Sequence, residues 1–298
     1  MVTFGVSLGR WSDGDALAAA ARTAQETGFD VLTTADHLGA AAPFSTLAVA
    51  ATAAPHVRLR TYVLDAYFWN PALLAREVAT LDLLSGGRVE LGVGAGHMKA
   101  EHDDAGLAFP GVGERWAQVE RLVEDVRRRL ADPAHVPAPV QRPVPVMVAA
   151  MGERGLRCAA RVADVVGLAG LLQVRGRPPG TFTLASADLT DERAGLVRDV
   201  SREHGRSPGL DVLLQHVELD GDPAAAARRW CDAAAAEGAD WFTPEMLLGS
   251  PFVLLATDAA AAAAELARRE QRWGVTCWST HARSGPALAR VLAARAAG

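Results

Sequence analysis

The stretch Ala79–Glu101, ATLDLLSGGRVELGVGAGHMKAE, decides the fold. It reads as the end of a helix, a tight turn at Gly86-Gly87, a short buried strand over Val89–Val93 opened by Arg88, and a glycine-rich loop carrying His97, Lys99 and Glu101. Gly94 and Gly96 let the backbone approach another group closely. A strand that ends in glycines followed by polar side chains is where an α/β protein places its ligand.

Strand and helix patterns alternate outward from this segment. Strands are expected at Val2–Leu8, Val31–Thr34, Val57–Leu64, Val89–Val93, Val146–Ala149, Asp164–Leu168, Asp211–Leu219 and Gly274–Ser279. Helical spacing fills the intervals, as in Arg115–Leu130, and Pro71 stands in the first turn of a helix, where proline is tolerated. Ala131–Pro145 carries five prolines and reads as a connection, because the alternation resumes at once. Gly170–Leu184 shows no clear pattern, and Pro244–Leu248 is expected as a short extra helix. The unbroken series predicts one domain over residues 1–298, a (β/α)8 TIM barrel with insertions. A doubly wound sheet would carry a nucleotide fingerprint after the first strand, and Gly5–Arg10 lacks its spacing.

Half of the 298 residues are apolar, 22% are charged and the net charge is −5. This describes a globular chain, with no general affinity for nucleic acid or for a membrane surface. Cys158, Cys231 and Cys277 form neither a metal spacing nor a disulfide framework, and all three are expected as small buried residues. The strand-like N-terminus has no basic segment or apolar run of a signal peptide, and the apolar stretch Ala259–Ala264 is too short to span a bilayer. A reducing cytoplasm fits. The metalloprotease, serine-hydrolase and phosphate-loop signatures are missing, which removes support for those classes.

In a barrel the chemistry gathers at the carboxyl ends of the strands. Those ends offer Ser7 and Arg10; Asp36 and His37; Asp65 with Tyr67, Phe68 and Trp69; Gly94, Gly96 and His97; Ala150, Met151 and Gly152; Gln215 and His216; and Trp278, Ser279 and His281. Aspartate beside histidine matters because a carboxylate orients and charge-stabilises an imidazole, the side chain that moves protons near neutral pH. Tyr67, Phe68, Trp69 and Trp278 are expected as an apolar lid over the substrate.

Leu73–Gly96 resembles the bacterial luciferase-like monooxygenase superfamily, and most closely its actinobacterial branch of coenzyme F420-dependent oxidoreductases. Thr34–His37, Asn70–Ala72, Pro145–Ala150, Ala159–Gly167 and Ser250–Leu254 agree in order. The resemblance implies a TIM barrel that binds F420, or alternatively FMN, at its mouth and pairs as a homodimer. It implies that Asp36 contacts the deazaflavin ring and that His37 beside it serves in proton transfer. Thr61, Tyr62 and Val63 match a bulged strand with a cis peptide at Tyr62-Val63 that backs the ring. Gly94, Gly96 and Ala150 face the cofactor, and Met151 and Gly152 give backbone donors to its phosphate. His97 stands where related sugar-phosphate dehydrogenases have a glutamate and many members a tryptophan.

The implied activity is hydride transfer between deazaflavin carbon 5 and a small organic substrate, reducing C=C or C=N, with His37 or His97 giving the proton and Tyr67, Trp69 and Trp278 holding the substrate. The alternative is an FMN-dependent monooxygenase that uses reduced flavin and oxygen.

Overall fold

In a computed structural model of the chain, residues 2–178, 180–219 and 221–297 are described; Met1, Pro179, Asp220 and Gly298 lie outside the described residues. The deciding segment folds through local bonds. Helix Pro71–Ser85 ends on Gly86 in the left-handed region (φ 69°), which lacks steric cost only for glycine. Gly87 follows at φ 86°. The wholly buried Asp82 accepts from Gln141 N at 2.8 Å and Gln141 Nε2 at 2.7 Å, which ties the proline-rich connection to the turn. Arg88 donates to the carbonyls of Ala51, Ala54, Val57 and Ser85, which closes the end of helix Pro43–Ala53.

Eight parallel strands form the barrel: Thr3–Ser7, Val31–Thr34, Arg58–Thr61 continued as Leu64–Asp65, Val89–Gly94, Val146–Ala150, Val165–Leu168, Gly209–Leu214 and Cys277–Thr280. Each pairs with the next, and the first pairs with both the second and the eighth, so the sheet has no free edge. Helices cover the outside, and a continuous apolar core lies between them and the strands. This is the TIM barrel expected from the alternation.

Several elements differ from the sequence expectation. The third strand is not continuous: it breaks at Tyr62-Val63, whose peptide is cis. Thr61 Oγ1 bridges to the backbone of Gly92, donating to its carbonyl at 2.9 Å and accepting from its N–H at 2.8 Å. The seventh strand does not run from Asp211 to Leu219. It ends at Leu214, and His216–Glu218 turns away to pair with Val253–Leu255. Gly170–Leu184 holds an antiparallel hairpin, Leu171–Gln173 against Phe182–Leu184. The short helix Pro244–Gly249 is present. Cys158 and Cys277 are buried, but Cys231 is only half-buried, and all three are free. No helix among the described residues is long and apolar enough to cross a membrane.

Two features of the barrel interior position the site. The first is a stack of glycines. A Cβ at Gly92 would collide with the Thr61 carbonyl, one at Gly94 would meet Val63 Cγ2 at 2.7 Å, and one at Gly96 would collide with the Asp65 carboxylate. Alternate residues of the fourth strand and of the loop after it thus receive Thr61, Val63 and Asp65. The second is a buried charge cluster. Arg60, 2% exposed, pairs with the Asp211 carboxylate and reaches Glu90 at 3.1 Å. Ser279 Oγ donates to Asp211 at 2.8 Å, and the Tyr62 hydroxyl donates to it at 3.0 Å.

Candidate active site

A cavity of about 420 Å³ opens at the carboxyl ends of the strands. One wall is the bulge Tyr62–Leu64, the loop Gly94–Gly96, and Ala149, Ala150 and Met151. The other carries Leu213, Gln215, Thr280 and His281, and Leu171 and Phe182 from the hairpin complete the lining.

Asp36 and His37 follow the second strand and bond to different partners. Asp36 Oδ2 accepts from Trp69 Nε1 at 2.8 Å and, more weakly, from Asp65 N at 3.4 Å. Burial holds the Asp36 carboxyl above its ordinary range, against the lowering effect of the Trp69 bond. His37 Nδ1 lies 2.9 Å from Glu101 Oε1. A carboxylate accepts, so Nδ1 holds the proton and Nε2 is free in the neutral ring. His97 stands edge-on to His37 with ring centres 5.6 Å apart, and edge-on to Phe182 on its other side. Burial, followed by the neighbouring His37, holds His97 below the ordinary imidazole value.

Behind the wall, Asp65 Oδ2 meets His102 Nε2 at 2.8 Å, and His102 Nδ1 donates to the Ala108 carbonyl at 2.8 Å. The fully buried His102 ring is enclosed by Tyr67, Phe68 and Phe109. It anchors the short helix Lys99–Asp104, which presents Glu101 to His37.

Of the residues singled out in the sequence, Asp36, His37, Tyr62, Val63, Gly94, Gly96, His97, Ala150 and Met151 line the cavity. Thr61 stands behind the bulge, and Gly152 is the N-cap of helix Glu153–Val162. The expected aromatic lid is not built. Trp69 braces Asp36 and packs edge-on to Phe44. Tyr67 turns toward His102, outside the cavity lining. Trp278 is wholly buried on the helix side, where its Nε1 donates to Glu270 at 2.9 Å. The reason is register: Ser279 points inward to Asp211, so its neighbour Trp278 must point outward. The sequence reading missed the Asp65–His102 pair and the contributions of Leu171 and Phe182. Asp65 and His102 lie 37 residues apart, and no local pattern connects them.

The raised Asp36 carboxyl has a consequence for stability. Ionising it costs more in the folded chain than in the unfolded one. That cost is absent well below the ordinary aspartate value of 3.8 and complete once pH exceeds the raised folded value. Asp36→Asn keeps an acceptor for Trp69 and removes the charge. Its melting temperature is expected to exceed the parent's near neutral pH, with the difference vanishing in acid, as read by thermal melts of both proteins across pH.

The sequence profile of the luciferase-like monooxygenases matches residues 3–291. An F420-dependent glucose-6-phosphate dehydrogenase of Nakamurella multipartita is 31% identical over 230 residues, which are 69% of this chain and 64% of that protein. One of the same name from Amycolatopsis mediterranei is 33% identical over 164 residues, 47% of this chain and 49% of the relative. The alignments therefore span about half to two thirds of these relatives' lengths. An F420-dependent secondary alcohol dehydrogenase, solved with an F420–acetone adduct, superposes with a TM-score of 0.75 at 20% identity, covering 94% of this chain and 93% of its own. That likeness is one of fold. With the match running through every strand and helix that builds the cavity, the chain belongs to the luciferase-like monooxygenase family.

Proposed function

We propose that this chain is a coenzyme F420-dependent oxidoreductase that transfers hydride between deazaflavin carbon 5 and a small organic substrate, reducing a C=C or C=N bond. The observation that carries the reading is the His37–Glu101 pair, which sets an imidazole with a free Nε2 on the rim of a cavity walled by the Tyr62-Val63 bulge. The relatives named as F420-dependent dehydrogenases support it.

The residues present fit the cofactor. Gly94 and Gly96 let Val63 and the Asp65 carboxylate pack directly against the fourth-strand lip, which makes a closed wall for a flat ring. Helix Glu153–Val162 starts without a side-chain cap, so its first N–H groups are available to a phosphate. Glu153, an anion at the same place, is paired with Arg157 at 2.9 Å. Gly152 and Met151 bring that helix start to the cavity. When bound, the deazaflavin supplies the hydride. The protein's part is to exclude water, to orient the ring and to move the proton. His37 Nε2 carries that proton, Glu101 holds the ring through Nδ1, and Asp36 faces the cofactor.

Fluorescence titration with F420 and with FMN tests the reading. F420 is expected to bind at micromolar concentration and to be turned over without oxygen. Failure of both to bind, or oxygen-dependent turnover with reduced FMN, overturns it. We also place the enzyme in the cytoplasm as a homodimer. Leu73, Leu83 and Leu84 on helix Pro71–Ser85 are 51%, 52% and 67% exposed, and a second copy would cover them.

A further inference from the structure

The cavity has a second polar cluster, across the mouth from the bulge. The eight strands close in order, so the seventh stands four places from the third and the eighth four places from the fourth. Gln215 and His281, which follow the seventh and eighth strands, therefore lie opposite Tyr62-Val63 and the Gly94–Gly96 loop. Both line the cavity.

Hydrogen bonds fix the orientation of this pair. Gln215 Nε2 lies 2.7 Å from the Ala169 carbonyl, which can only accept. The amide oxygen is thereby turned to His281 Nε2, 3.1 Å away, and it too can only accept. The imidazole proton must sit on Nε2. Burial, with Arg283 nearby, holds His281 below its ordinary value, so the ring is uncharged near neutral pH and Nδ1 keeps its lone pair. Among the described residues, Nδ1 has no hydrogen-bond partner.

The surroundings restrict what can approach. Asp36, Asp65 and Glu101 line the cavity, and no arginine or lysine does so among the described residues. Two arginines stand near the lining without joining it. Arg115 lies over the Phe109 ring and donates to the Pro110 carbonyl, and Arg283 donates to the Gln215 carbonyl. A phosphate or carboxylate on the substrate would meet the carboxylates of Asp36 and Glu101 with no lining arginine or lysine to offset them, and His37 is already paired with Glu101. Leu171, Phe182 and Leu213 offer other parts of the lining to an apolar body.

We propose that Gln215 and His281 form the substrate anchor, His281 Nδ1 accepting a hydrogen bond from an O–H or N–H group of a small molecule that bears no anionic group. This rests on reading the cavity as the active site of a deazaflavin enzyme, and it deepens that reading by naming the substrate class.

The test is nitrogen NMR of the protein labelled with 15N-histidine, first without cofactor and then with F420 bound, with His281 assigned by its loss in His281→Gln. Cyclohexanol serves as an uncharged donor, cyclohexanone as an acceptor of the same shape, and glucose 6-phosphate as an anion. His281 is expected as the neutral Nε2–H tautomer, and Gln215→Leu should give mixed tautomers. Cyclohexanol should move the Nδ1 resonance, and the other two should not. His281→Phe should weaken cyclohexanol binding about tenfold, the loss of one hydrogen bond. The proposal is overturned by an Nδ1–H or charged ring near neutral pH, by no response to cyclohexanol, or by a response to glucose 6-phosphate. It is also overturned if F420 alone moves the resonance as cyclohexanol does, since the cofactor would then occupy Nδ1. If F420 fails to bind while the tautomer and the cyclohexanol response hold, the cofactor assignment falls and the anchor stands.

Discussion

Replacing His37 with asparagine is expected to lower kcat by about 10²–10⁴-fold, the usual contribution of a positioned proton donor, while F420 affinity stays close to the parent's. The argument is geometric. Glu101 fixes His37 Nδ1, which leaves Nε2 as the atom that gives or takes a proton at the cavity rim. The rival is His97, 5.6 Å away ring to ring. Its charged form is disfavoured first by burial and then by His37 itself, so it is the poorer proton source near neutral pH. The measurement is steady-state turnover on substrates found by screening C=C and C=N compounds, beside a fluorescence titration of the cofactor. Unchanged kcat in the variant would move the proton transfer elsewhere. Glu101→Gln should show a smaller loss of the same kind, because the ring keeps a partner and loses only its charge.

The largest effect on stability is expected from Arg60→Met, about 3–5 kcal/mol, the typical cost of stripping one partner from a buried ionic cluster. Arg60 comes from the third strand and meets Glu90 of the fourth and Asp211 of the seventh inside the barrel. Glu90 and Asp211 are 4% and 0% exposed, so no water replaces the lost cation. Methionine fills the volume and leaves Glu90 with only the longer pairing to Arg58 at 3.7 Å and Asp211 with only the neutral donors Ser279 and Tyr62. The denaturation midpoint reports the loss, and Glu90→Gln with Asp211→Asn in the same background should restore part of it. A drop below about 1 kcal/mol, the level of an exposed pair, would show that the cluster is hydrated in solution. The cluster also reaches the active site, because Asp211 accepts from the hydroxyl of Tyr62 at the bulge.

What could be read from the sequence was what is local. The Gly86-Gly87 turn and the strand after it follow from conformational limits on a few neighbouring residues, and the alternation of elements follows from periodicity. Asp36 and His37 were placed correctly at a strand end for the same reason. The break at Tyr62-Val63 was different, since an apolar run reads as continuous strand and only the family resemblance pointed to the bulge. Trp278 lies on the helix side of its strand and not at the cavity, because a step of one residue along a strand exchanges its two faces. The hairpin beside the cavity was not legible because each of its strands has three residues, too few for alternation to register. Arg60 and Asp211 are 151 positions apart, and no window of sequence contains both.

The glycine stack in the opening segment also divides the cavity by its freedom to change. At Gly92, Gly94 and Gly96 any side chain would run into Thr61, Val63 or Asp65, so that stretch of the wall has no room to grow. Elsewhere in the lining, Leu171, Phe182 and Leu213 are side chains of ordinary size on separate elements, each open to replacement by a smaller or larger one. Divergence in substrate scope is thereby channelled to one part of the barrel mouth, and the other part can stay fixed while it happens.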